Sequence, residues 1–220
     1  MKRRLPILAG VVLALCIAVM SGCSPAANDE PTTQRVSVYG DSFSSDWQWI
    51  AEAREITDAY DFDNNAVWGA AYHLSGATDF TAIEDQIDES AIDSDIVVFY
   101  AGVNDWRNEK STPDEVVASI ERCVAKARHY APLADIYVCF SNAGDIYQPE
   151  YAGFLEWHDE VIAKLERDNN SDYPFKPFVV VSDAPYWHMG TDYSFSDDAL
   201  HPNEHGYEII AERILSLLAA

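Results

Sequence analysis

From about residue 34 onward, two hydrophobic periods alternate along the chain. Short runs dense in β-branched and aromatic residues read as strands: RVSVY (35–39), DIVVFYAG (95–102), ADIYVCF (134–140) and PFVVVSD (177–183), with a weaker NNAVW (64–68). Between them lie segments with apolar residues at helical spacing: 46–60, 77–89, 112–130, 151–168 and 203–219. In the first of these, Trp47, Ile50, Ala51 and Ile56 define one side. Thr112 followed by Pro113 marks a helix start. Five strands separated by helices predict an α/β domain: a three-layer sandwich around a five-stranded parallel sheet, with right-handed crossovers. Groups that act chemically should then gather at the carboxyl ends of the strands.

The first 33 residues follow neither period. MKRRL is a positive start and PILAGVVLALCIAVM is an apolar run of leader length, short for a membrane span. SGCS follows, with small residues directly before Cys23. Residues 1–22 therefore resemble a bacterial lipoprotein signal, and Cys23 is the expected lipidation site, although Met20 stands where leucine is usual. Residues 23–33, rich in small and polar residues, predict a flexible tether, and 34–220 a single domain. The expected location is outside the cytoplasm, lipid-anchored to the cell membrane.

Charge narrows the partners. The chain carries 14 Lys+Arg against 37 Asp+Glu, a formal net of −23. Without Lys2, Arg3 and Arg4 the balance is 11 against 37, a net of −26. Such a surface repels nucleic acid and other polyanions. Cys16 goes with the leader and Cys23 with the lipid, which leaves Cys123 and Cys139. An oxidising compartment permits a bridge. A helix packed on a sheet, however, usually holds its backbone too far away for one, so two buried thiols are expected.

The strand ends carry the chemistry. The first strand stops at Gly40-Asp41-Ser42, where the serine reads either as a helix cap or as a nucleophile. The strand at 95–102 runs into Gly102, Val103, Asn104 and Asp105, and the last strand leads toward Asp198 and His201. A serine, an acid–histidine pair, an amide and a glycine turn are the parts needed for acyl transfer. GDS (40–42), SGAT (75–78), GVND (102–105) and DALHP (198–202), in that order, resemble the SGNH (GDSL) hydrolase family from Arg35 to the chain end.

That resemblance implies a flavodoxin-like fold, Ser42 as nucleophile, His201 as base and Asp198 as the acid that orients it. It also implies an oxyanion hole built from the Ser42 N–H, a glycine N–H and the Asn104 amide. Gly76, 34 residues after Ser42, fits the family's spacing and is the expected donor. Gly69 is expected only to shape a turn. Asp41 and Asp105 should brace loops. His73 and His188 compete as bases, but His188 lacks the D-x-x-H setting. His201 and His205 form an H-x-x-x-H pair, but Pro202 and the missing third ligand argue against a metal, and no cofactor is expected.

Trp47, Trp106, Tyr186 and Trp187 lie on or near these loops, with Trp106 and Trp187 expected to line the substrate pocket. The family includes carbohydrate deacetylases, lysophospholipases, thioesterases and lipases. An outward-facing acidic member fits removal of small acyl groups, acetyl foremost, from glycans. Lysophospholipase or thioesterase activity, acyl transfer to a sugar hydroxyl, and a non-catalytic binding lipoprotein are the alternatives.

Overall fold

The computed structural model describes residues 33–141, 153–169, 178–182 and 200–220. Five parallel strands, β1 (Gln34–Gly40), β2 (Tyr60–Asn64), β3 (Ile96–Ala101), β4 (Asp135–Phe140) and β5 (Val179–Val181), form one sheet in the order β2-β1-β3-β4-β5. The α-helices are α1 (Ser42–Ser45), α2 (Gln48–Ile56), α3 (Ile83–Gln86), α4 (Pro113–Tyr130), α5 (Phe154–Asn169) and α6 (Glu204–Leu218). The α/β sandwich expected from the alternating periods is the observed fold. Strand order reverses direction between β1 and β3, and in such sheets the crevice outside this switch point is where ligands bind.

Every residue of β3 is buried, as a central strand covered on both faces requires. One core lies between the sheet and helices α2 and α6, holding Val36, Val38, Trp49, Ile50, Tyr100 and Ile210. The other lies beneath α4 and α5 and holds Tyr39, Val97, Phe99, Ile120, Val124 and Leu165. Cys139 belongs to the first and Cys123 to the second, both buried and unbridged. Thr112 and Glu115 close a capping box at the start of α4, with Pro113 at its first position.

Three elements differ from the expectation. The second strand is Tyr60–Asn64 and meets the NNAVW run only at Asn64; Asn65 and Val67 still donate to the Val38 and Gly40 carbonyls before the chain turns at 67–70. An edge strand with one covered face buries only Phe62 fully, so its hydrophobic signal is weak. The helix expected from 46 starts at Gln48, because Trp47 holds a left-handed φ of 64° and breaks the path between α1 and α2. Its buried side is Trp49, Ile50 and Ala53, while Trp47 and Ile56 are exposed. Within 77–89 only one α-helical turn forms, and a 3-10 turn begins at Glu89. Ile83 and Ile87 are buried as the helical spacing suggests, but Ala71 and Ala82 pair as an isolated bridge and draw that backbone into an extended path.

Candidate active site

Gly40 ends β1 where the backbone meets β3 closely. A Cβ there would lie 2.4 Å from the Tyr100 carbonyl oxygen, so only glycine fits. The Gln86 side chain grips both polar groups of Gly40, accepting its N–H at 3.1 Å and donating to its carbonyl at 3.0 Å. Asp41 then caps α1, its Oδ1 accepting the Phe43 N–H at 3.0 Å. Its Oδ2 accepts the Ser141 hydroxyl at 2.9 Å, and Ser141 Oγ accepts the Val103 N–H at 3.2 Å. This chain ties the ends of β1, β3 and β4 together, so Asp41 braces the site rather than facing it.

Ser42 follows as the first residue of α1, 8% exposed. His201 precedes α6, which Asn203 caps through the Gly206 N–H. His201 Nε2 lies 2.8 Å from Ser42 Oγ, across 159 residues of sequence. Phe43 packs against the imidazole with ring centroids 5.6 Å apart. Of the competing bases, His73 pairs with Glu115 at 3.8 Å; His205, the other half of the H-x-x-x-H pair, meets Glu208 at 3.1 Å on the surface of α6. Asp198, Trp187, His188 and Cys23 lie outside the described residues.

Asn104, buried at the end of β3, donates one side-chain N–H to the Ala70 carbonyl at 2.9 Å. Its Oδ1 accepts from Asn108 at 2.7 Å, which fixes which end of the amide carries the donors. A carboxamide has two N–H groups, so the second remains for a ligand. The π-helical turn Asp105–Glu109 continues from Asn104. Asp105 accepts the backbone N–H groups of Tyr72 and His73 at 3.0 and 2.7 Å. Burial pushes the carboxyls of both Asp41 and Asp105 up to about 7, against the pull of these donors.

The two glycines separate here. Gly76, the expected oxyanion donor, sits exposed in a turn whose neighbours serve Glu109, which accepts the Ser75 N–H and hydroxyl and the Thr78 hydroxyl. Burial pushes the Glu109 carboxyl up, but these donors outweigh it and hold the group below the usual range. Gly69 is buried, and the residue after it supplies the carbonyl that Asn104 holds. Gly69, not Gly76, therefore shares the site with Asn104. Its place directly after the second-strand region was the available signal, and spacing from Ser42 pointed past it.

Trp106, expected to line the substrate pocket, packs toward the core on one side. It is half-buried, packed edge-on against Phe154 with centroids 5.5 Å apart, and backs onto the core beneath α6. The cleft over Ser42 has a volume of about 250 Å³ and is lined by Ser42, Asp46, Gln48, Trp68, His201, Pro202 and Tyr207. Among the described residues its exposed aromatic is Trp68, which the hydrophobic pattern places in a strand. Among the described residues, no group of three or more His, Cys, Asp or Glu side chains could hold a metal ion.

A serine on a strand-to-helix turn, paired with a histidine at the switch point of a parallel sheet, defines the class: a serine hydrolase. The chain matches the GDSL-like Lipase/Acylhydrolase family over residues 38–209 and belongs to that family. No curated protein matches it. Among solved structures it is similar to a lipolytic protein of the G-D-S-L family from Veillonella parvula, at 15% identity and a TM-score of 0.63, over 84% of this chain and 98% of that one. A carbohydrate esterase family 3 protein from Talaromyces cellulolyticus is 17% identical with a TM-score of 0.60, over 84% and 96%. A family two carbohydrate esterase from Clostridium thermocellum, in complex with cellohexaose, is 15% identical with a TM-score of 0.61, over 84% of this chain and 63% of that one. These likenesses concern the fold.

Proposed function

We propose that the protein hydrolyses carboxylic esters at Ser42 and removes small acyl groups, acetyl foremost, from carbohydrates at the cell envelope. The observation that carries the reading is the 2.8 Å contact between Ser42 Oγ and His201 Nε2 in a small, polar-walled cleft. His201 Nε2 takes the hydroxyl proton as Ser42 Oγ bonds to the ester carbonyl carbon, and the carbonyl oxygen becomes an oxyanion. The N–H groups of Ser42 and Gly69 and the unused N–H of Asn104 receive that charge. His201 then protonates the departing alcohol, and a water repeats the sequence on the acyl-enzyme. Asp198 is the proposed partner of the other imidazole nitrogen.

A long acyl chain needs an extended apolar channel, whereas Asp46 and Gln48 wall the described cleft close to Ser42. The likeness in fold to two carbohydrate esterases agrees with a glycan substrate. The test is a panel of acetylated sugars, short and long p-nitrophenyl esters and lysophospholipids, run on the wild type and Ser42→Ala. Sugar acetates should turn over fastest, and Ser42→Ala should fall to background and lose labelling by a fluorophosphonate. Faster turnover of lysophospholipid would overturn the carbohydrate reading. Anchoring through Cys23 belongs to the same proposal: Cys23→Ser should abolish metabolic fatty-acid labelling and release the protein from membranes.

A further inference from the structure

Trp68 is 65% exposed, an unusual place for an indole, whose burial is worth several tens of calories per square ångström of apolar surface. Its position is nonetheless tightly set. Val67–Ala70 is a turn closed by the Ala70 N–H to the Val67 carbonyl at 3.1 Å, with Gly69 at a φ of +77° in the third position, the signature of type II. The residues flanking Trp68 and Gly69 are anchored to the site itself. The Val67 N–H donates to the Gly40 carbonyl at 3.0 Å, two residues before the nucleophile, and Ala70 accepts from Asn104. Phe80 meets the indole edge-on, with centroids 6.4 Å apart and planes at 90°. It also lies so close under Gly69 that a Cβ there would come within 2.8 Å of its ring. Trp68 is thus supported from below, exposed above, and held in register with both Ser42 and Asn104.

Also lining the cleft, Asp46 and Gln48 flank Trp47, whose left-handed φ of 64° turns the chain there. The Arg54 guanidinium lies 4.7 Å from the Trp47 ring centroid and is itself fixed by a 2.7 Å bond to the Phe62 carbonyl. The backbone between Asp46 and Gln48 is thereby braced through Trp47.

We infer that Trp68 is the platform for the alcohol part of the substrate, a pyranose ring of a neutral or cationic glycan, with Asp46 and Gln48 taking its hydroxyls. The inference rests on the carbohydrate-ester reading above and names the residues that select for it. A pyranose offers an apolar C–H face that suits the exposed indole and a polar edge that suits a carboxylate and a carboxamide. Asp46 close to Ser42, on a chain of net charge −23, repels phosphorylated and other anionic alcohols.

The experiment compares kcat/KM for an O-acetylated oligosaccharide with kcat/KM for ethyl acetate, whose alcohol has no ring. In Trp68→Ala the ratio should fall about tenfold through a raised KM for the sugar ester, and Trp68→Phe should recover part of it. Binding gives a second readout: Ser42→Ala should show a shift in tryptophan emission on titration with the deacetylated oligosaccharide, and Ser42→Ala/Trp68→Ala should show none. A wild type that cleaves sugar acetates while Trp68→Ala keeps the wild-type ratio overturns the platform alone. A wild type that cleaves ethyl acetate but no O-acetylated sugar overturns the carbohydrate reading beneath it.

Discussion

At the scale of single residues, the site depends on groups that aim other groups. Asn104 points its amide correctly because Asn108 donates to its oxygen and Ala70 accepts from its nitrogen. Removal of one oxyanion donor typically costs about 10²–10³ in kcat. Asn104→Ala should therefore lower kcat by that order with KM little changed. Asn108→Ala leaves the donor in place but frees the amide to rotate, so kcat should drop by a smaller factor, again with KM held. Steady-state kinetics on one ester check both. A tenfold rise in KM at constant kcat would make Asn104 a substrate-binding group instead. Ser42, Asn104 and His201 were legible in the sequence because each follows a strand or precedes a helix with a clear apolar period. Trp68 was not, because a tryptophan beside Ala66 and Val67 carries the same hydrophobic signal whether it faces a core or a cleft. Trp106 shows the converse: its neighbours Asn104 and Asp105 are legible, while the packing of its ring on Phe154 comes from a distant part of the chain.

At the scale of elements, the loops around the nucleophile are held by buried carboxylates, which makes their stability sensitive to pH. Asp105 joins the π-helical turn to the Tyr72–His73 backbone, and its carboxyl sits near 7 while its ordinary value is 3.8. Between those values the folded chain binds a proton that the unfolded chain has released. The contribution of this group to stability is therefore complete below about pH 4 and fades as the pH rises through 7. Thermal unfolding of the wild type and Asp105→Asn from pH 5 to 8 tests this: the wild type should lose ground against the variant as pH increases. A constant gap, or one that widens in favour of the wild type, would show that the carboxylate is ionised throughout. The helices and central strands were readable from period alone, since α4 carries its capping box and β3 an unbroken apolar run. The edge strand and the 77–89 region were not. There the deciding contacts, Val38 with Asn64 in register and Ala71 with Ala82, come from distant parts of the chain.

At the scale of the whole molecule, the sheet divides the domain into two separate cores, and one cysteine lies in each. A bridge between Cys123 and Cys139 would have to pass through the sheet. The melting temperature should accordingly be the same with and without a reductant, and both thiols should alkylate once the protein is denatured. A reductant-sensitive melt would contradict the two-core arrangement. The parallel sheet has a further geometric consequence. The chain enters β1 at Gln34 and reaches the nucleophile just past Gly40, so entry point and cleft stand at opposite rims, about 20 Å apart along a seven-residue strand.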